Sequence, residues 1–307
     1  MLPKTSNKES VRRTTVVLSI YKPNIDWLTD QISSLRYQSR MQSEVLVRFD
    51  GNINQKIYFD SQIKVLSDQK HVGPGRSYME LIDKCDDTLV AFCDQDDFWF
   101  PDKLTTLYES IMENSGPALS YCGYTIIDSS GQLIGSREPS RKTTKFTFLF
   151  RNTIPGCTML LNQNAVKLLK RSKPYFPENG IHDWWTALLI SLIGVMAPVP
   201  EPLISYRLHS LNTIGVSTSY SARKANLLSR IDTIDKSIHQ LDKMLEYLET
   251  IETPENITNF LRSIVTGAYA NRFVRLMTLI RLGIFKSSLR EIVFTVLLYL
   301  LPRKLSK

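Results

Sequence analysis

Along the first part of the chain, short β-branched and apolar runs alternate with longer stretches of helical period. Thr15 to Ile20 (TVVLSI) reads as a buried strand, and Tyr21-Lys22-Pro23-Asn24 breaks it before a helix over Asp26 to Leu35. Glu44 to Phe49 (EVLVRF) is a second strand, closed by the turn signal Asp50-Gly51-Asn52, and Gln62 to Leu66 is a third. Val72-Gly73-Pro74-Gly75 is a turn, followed by a helix over Arg76 to Lys84 and a fourth strand over Thr88 to Cys93 (TLVAFC). Pro101 suits the first position of a helix that runs to Asn114, and Ala118 to Tyr124 is a fifth strand. Apolar strands separated by helices predict an α/β fold with a mainly parallel central sheet covered on both faces. Such sheets bind ligands beyond the carboxyl ends of their strands.

Past residue 125 the alternation fails. Ile126 to Ile134 reads as a hairpin around Asp128-Ser129-Ser130-Gly131. A strand over Cys157 to Leu161, a helix over Gln163 to Arg171 and an apolar helix over His182 to Ile193 (HDWWTALLISLI) follow. Val195 to Val199 and Leu203 to Tyr206 are expected as two short strands. Ser210 to Ser221 is polar and reads as a mobile loop or boundary, with helices over Ala222 to Glu252 and Pro254 to Leu301. The chain therefore divides into residues 1–216 and a helical C-terminal region, 217–307.

Composition adds little until charge is placed along the chain. At 307 residues, 43% hydrophobic, the chain can bury a sizeable core. Its net charge of +8 sits from Arg262 onward, where nine basic residues face one acid, Glu291. Within that segment Leu289 to Leu301 (LREIVFTVLLYLL) is too short to span a bilayer. It suits either a buried core helix or an interfacial helix in peripheral contact with an anionic membrane. No zinc pattern or recognition helix points to nucleic acid. The four cysteines form no CxxC pair, and the polar N-terminus lacks a signal-peptide core, so the thiols are expected reduced and the protein cytoplasmic, at the inner face of the membrane. The long C-terminal helices would allow a homo-oligomer.

The chemistry concentrates in FCDQDDFW, residues 92 to 99. Asp94, Asp96 and Asp97 crowd three carboxylates at the end of an apolar strand, where each raises the proton affinity of the others. A divalent cation carrying a phosphate-bearing ligand would turn that repulsion into attraction. Asp50 ends a neighbouring strand, either as a turn residue or as an acceptor for a pyrimidine N–H. Asp183, between His182 and the Trp184-Trp185 pair, is either a helix cap or a carboxylate desolvated into a base. The two indoles beside it, like Trp99, suit sugar rings. Tyr206-Arg207-Leu208-His209 ends a strand, with His209 a surface histidine or a further metal ligand and Arg207 a diphosphate contact.

Taken in order, TTVVLSIYKP, VRFDGN, VGPGRSYMEL, AFCDQDDFWFPDKL, PGCTMLLN and HDWWTALLISLIG…YRLHSLNTIG resemble family 2 glycosyltransferases of the GT-A fold, in particular bacterial rhamnosyltransferase-like members. The resemblance covers residues 14 to 216. It implies a nucleotide-sugar donor (dTDP- or UDP-linked), Mn²⁺ or Mg²⁺, and inversion at the anomeric carbon. Carried over, Asp50 binds the base, Asp94 the ribose and Asp96 the metal together with His209, while Asp183 is the general base. Ser19, Tyr21, Arg76 and Arg207 fall among the expected donor contacts, and Asp97, Trp99, His182, Trp184 and Trp185 among sugar or acceptor contacts. Phe49-Asp50 replaces the family's usual acidic pair, and the QxxRW element of processive members is absent. The latter implies transfer of a single sugar, and the rhamnosyltransferase-like likeness implies L-rhamnose from dTDP-rhamnose and a glycan or polyprenyl-linked acceptor. A nucleotidyltransferase and a non-catalytic sugar-binding module of the same fold remain alternatives at this stage.

Overall fold

The structure, a computed structural model, describes residues 13–39, 44–52, 61–66, 70–86, 88–139, 152–209 and 227–270, with positions 57, 59, 147–149, 212 and 277–278 between and beyond them. Over 227–235 it describes the backbone alone. Apart from Asn212, the expected loop Ser210–Ser221 lies outside the described residues, as do Leu289–Leu301 and their basic flank.

β1 (Thr14–Ile20), β2 (Glu44–Phe49), β3 (Ile63–Val65) and β4 (Leu89–Cys93) form where the apolar runs place them. They pair in parallel, with β1 between β2 and β4 and with β3 outside β2. Alternate side chains enter different cores. Val17, Val90 and Phe92 join one cluster, whereas Val16, Leu18, Ala91 and Cys93 join the other. A strand buried on both faces must be apolar throughout, which is why these runs show no alternation.

Two helices flank this half. α1 (Ile25–Arg36) starts at Asn24, whose side chain accepts the amides of Asp26 (3.0 Å) and Trp27 (3.2 Å). α2 (Pro74–Asp83) starts two residues earlier than the turn signal suggested, because Pro74 is itself well suited to a first helical position.

The second half of the sheet is mixed. β8 (Met159–Leu161) lies antiparallel between β4 and β6 (Ala118–Ile127). β9 (Val195–Arg207) runs parallel to β6, and β5 (Phe98–Trp99) lies antiparallel outside β9. β7 (Leu133–Arg137) closes the expected hairpin on β6. Among the described residues the strand order is β3-β2-β1-β4-β8-β6-β9-β5.

Two expected elements take another form here, and one strand is unforeseen. The two short strands over 195–206 are one continuous strand, whose register on β6 slips between Cys122 and Thr125. Pro198, Pro200 and Pro202 there lack N–H groups, and Gly123 lets the chain pass: a Cβ on it would lie 2.6 Å from the Pro200 carbonyl. The helix after Pro101 is only α3 (Lys103–Glu109), followed by turns. β5, at two residues too short to give a strand signal of its own, is defined by its pairing with β9.

α4 (Gln163–Ser172), α5 (His182–Ile193), α6 (Leu227–Leu248) and α7 (Glu255–Tyr269) cover the face that α2 begins. Leu241, Leu248, Leu261 and Ile264 share one apolar cluster with Trp185 and Leu189. The Tyr247 hydroxyl donates to the Leu168 carbonyl at 2.9 Å, tying α6 to α4.

Beside the strand ends α2 passes close to Gly180: a Cβ on Gly75 would fall 2.0 Å from the Gly180 carbonyl oxygen and 3.2 Å from the Phe176 ring. Gly75→Ala is expected to destabilise the fold by about 1–3 kcal/mol, read as a lower denaturation midpoint at unchanged slope. Gly116→Ala, with nothing within 4 Å, is the control and should stay close to the parent. An unchanged midpoint for Gly75→Ala would contradict this packing.

Candidate active site

β2, β1 and β4 are neighbouring parallel strands, so their carboxyl ends share one sheet edge. Tyr21, Asp50 and Asp94 follow those ends and line a cavity of about 470 Å³. Its wall also includes Ser19, Tyr78, Asp96, His182, Asp183 and His209.

At the β2 end, Asp50 is held from several sides. Its Oδ1 accepts the Val72 amide (2.7 Å) and the Arg48 guanidinium (3.0 Å). His71 Nδ1 lies 3.1 Å from both Oδ2 and the Asp50 carbonyl, with hydrogen-bond geometry only to the carbonyl. Arg48 is fully buried and also donates to Ser77, which in turn receives the Ser19 hydroxyl at 2.7 Å. Tyr21 stacks on His71, with ring centroids 4.8 Å apart, and the Gln95 amide clamps the Tyr21 backbone through both its N–H (2.9 Å) and its carbonyl (3.0 Å).

At the β4 end the three aspartates point in different directions. The Tyr78 hydroxyl donates to Asp94 Oδ1 at 2.9 Å. Burial, then the Asp96 charge, pushes the Asp94 carboxyl up to about 6 against that bond. Asp96 Oδ2 lies 2.7 Å from His209 Nε2, across 113 positions of sequence. The His209 ring packs against Trp27 at 4.9 Å, and the Asn212 side chain accepts the His209 amide at 2.7 Å. Asp97 turns inward and is fully buried, where its Oδ1 accepts the Arg207 amide at 3.0 Å. Burial and the neighbouring Asp96 and Asp94 charges hold its carboxyl well above the usual range.

Asp183 stands at the start of α5, 8% exposed. Its Oδ1 accepts the Trp184 amide at 2.7 Å and its Oδ2 the Gly156 amide at 3.1 Å. These use two of the four acceptor positions of a carboxylate and leave the others for a substrate proton. Burial raises the carboxyl to about 7, with the Asp94 charge adding and the two amides opposing. The His182 ring stacks on Tyr78 at 3.9 Å, with Phe92 at its edge, and burial drives its imidazole down to about 3, so it is neutral.

The structure thus gathers Ser19, Tyr21, Asp50, Asp94, Asp96, His182, Asp183 and His209 on one cavity. It places the other expected contacts elsewhere. Trp184 and Trp185 are core residues, their indole N–H groups spent on the Phe148 carbonyl and the Ser172 hydroxyl. Trp99 is buried under the Lys103 ammonium, and Asp97 faces the interior. Arg76 is exposed away from the cavity wall. Arg207 lies behind the acidic loop, where its Nε donates to the Asp96 carbonyl at 3.0 Å. An amphipathic indole can serve a core or a sugar face equally well, so residue type alone misassigned all three tryptophans. Wall residues not anticipated include Trp27, Tyr78, Gln95, Asn212 and Gly156. Of these, Asn24-Ile25-Asp26-Trp27 carried a readable signal, a helix start directly after a strand end.

Comparison with known proteins identifies the family. Residues 15–168 match the family model Glycosyl transferase family 2. The dTDP-rhamnosyl transferase RfbG of Shigella flexneri is 22% identical over 218 residues, 66% of this chain and 75% of that protein. A Bacillus subtilis glycosyltransferase, TuaG, provisionally described in teichuronic acid biosynthesis, is 26% identical over 143 residues, 44% of this chain and 56% of its own. Among solved structures, S. aureus TarS 1–349 in complex with UDP superposes with a TM-score of 0.52 at 15% identity, covering 91% of this chain and 76% of that one. With half of its length matched by the family model and its strand ends built into a site, the chain belongs to glycosyl transferase family 2 and is a glycosyltransferase.

Proposed function

We propose that this glycosyltransferase inverts configuration and moves a single sugar from a nucleoside-diphosphate donor to a glycan or polyprenyl-linked acceptor of a cell-surface polysaccharide. The observation that supports it best is the placement of a buried, proton-accepting Asp183 and an Asp96–His209 pair on the wall of one cavity. Similarity to a dTDP-rhamnosyl transferase favours L-rhamnose on dTDP as the donor. In this reading Asp50 takes the base and Asp94 the ribose.

Asp96 and His209 suit a divalent cation. A carboxylate oxygen and an imidazole nitrogen 2.7 Å apart can turn to one ion, and Mn²⁺ accepts imidazole more readily than Mg²⁺ does. Asp94, Asp97 and Cys157 also bring ligand atoms within 4.8 Å of one another. Asp97 and Cys157 are sealed in the core, however, and a thiolate suits softer metals. Asp96 and His209 would hold such a cation, which would supply positive charge to a departing diphosphate.

The remaining work falls to this chain's own groups. The acceptor hydroxyl oxygen attacks the anomeric carbon on the face opposite the diphosphate. Its proton passes to the free lone pair of Asp183, and the bond to the diphosphate breaks with its electrons leaving on that group. Because Asp183 is buried, its charge is poorly screened by water and acts strongly at short range.

Release of nucleoside diphosphate is the direct test, with dTDP-rhamnose and a panel of UDP- and GDP-sugars as donors. Turnover of one donor is expected with Mn²⁺ or Mg²⁺, and should stop with EDTA and in Asp96→Ala. Turnover indifferent to both would remove the metal from the reading. Asp183→Asn should lower kcat by about 10²–10⁴-fold. The base works only when deprotonated, so kcat/KM should rise with pH up to about 7 and level off above it. A flat profile through that range would exclude Asp183 as the base.

Among the described residues no helix is long and apolar enough to cross a membrane. The basic segment after Arg262 supports a peripheral contact with anionic lipid. Deleting residues 285–307 should abolish binding to anionic vesicles, and unchanged binding would overturn that contact.

A further inference from the structure

The lysine that closes the motif DQDDFWFPDK has no part in the reaction described above. Lys103 is fully buried, a rare position for a lysine. Its Nζ donates to the Cys157 carbonyl at 2.5 Å and lies 3.1 Å from the centroid of the Trp99 ring. Burial draws its pKa down to about 8.

Cys157 belongs to the 3₁₀ turn Gly156–Thr158. The Gly156 amide, one residue before the carbonyl that Lys103 grips, donates to Asp183 Oδ2 at 3.1 Å. The turn has no slack: a Cβ on Gly156 would sit 2.8 Å from His182 Nε2 and 3.3 Å from Asp183 Cβ. The ammonium therefore holds the middle residue of this short turn, and the residue before it aims an amide at the carboxylate.

We propose that Lys103 is a positioning residue for the base: its ammonium clamps the turn at 156–158 through the Cys157 carbonyl and so keeps the Gly156 amide on Asp183. The inference rests on the reading of Asp183 as the base. An amide donated to a carboxylate favours its ionised form. The ionisation of Asp183 is set by burial, by the Trp184 and Gly156 amides and by the Asp94 charge, with neutral His182 beside it. Lys103 reaches it through Gly156. Loosening the clamp should leave the carboxylate harder to deprotonate and less well aligned with the acceptor hydroxyl.

The test is kcat and KM against pH for the full chain, with the donor found by diphosphate release. Lys103→Met should keep the parent circular dichroism spectrum and KM for donor, lose about 10–100-fold in kcat, and move the acid limb of the profile to higher pH. Loss that is uniform with pH, or carried by KM, would overturn the clamp. Should Lys103→Met not fold, Gly156→Ala displaces the same turn with the lysine in place, and it is expected to move the limb in the same direction; an unmoved limb there also overturns the clamp. Asp183→Asn separates the two ideas. If it turns over like the parent, the base assignment falls and the clamp with it. If it is inactive while the limb stays fixed, only the clamp falls.

Discussion

Three aspartates within four positions would repel one another if they faced the same way, and β9 supplies the partners that separate them. Arg207, its last residue, donates its amide to Asp97 and its Nε to the Asp96 carbonyl. Two residues on, His209 meets the Asp96 carboxylate. With Asp97 turned inward and Asp96 turned to His209, Asp94 is left to Tyr78 and the cavity. Crowding that would be repulsive in an open loop is thereby divided among separate partners.

That division depends on strand direction. β8 is antiparallel to β4 and β6 antiparallel to β8, so β6 points the same way as β4. β9 is parallel to β6, and its carboxyl end therefore arrives at the same edge as Asp94. β5 returns antiparallel to β9, starting where the acidic loop ends. The antiparallel strands thus do not interrupt the binding edge of the parallel half. They are what brings a second set of side chains to it.

Burial then sets the chemistry. The same enclosure that keeps Asp183 in reach of two amides raises its proton affinity into the working range of a base. It also keeps His182 neutral beside it, adding shape without charge. Trp184 and Trp185 contribute by filling the core beneath the first turn of α5, which fixes where Asp183 stands.

What the sequence determined by itself was local. The doubly buried strands β1, β2 and β4, the turn after β2 and the acidic cluster after β4 are written in short contiguous patterns, because a strand covered on both faces must be apolar and a binding edge must follow its carboxyl end. The carboxylates at those ends could be named for the same reason. Only the tertiary structure decided which of the aromatic and basic residues face the cavity. Trp27 does and Trp185 does not; His209 reaches Asp96, whereas Arg207 braces the loop from behind. It also decided that β5 exists and that 195–207 is one strand, since both follow from pairing between segments about 80 to 107 residues apart. Burial and contact across such distances are properties of packing, and no local periodicity encodes them.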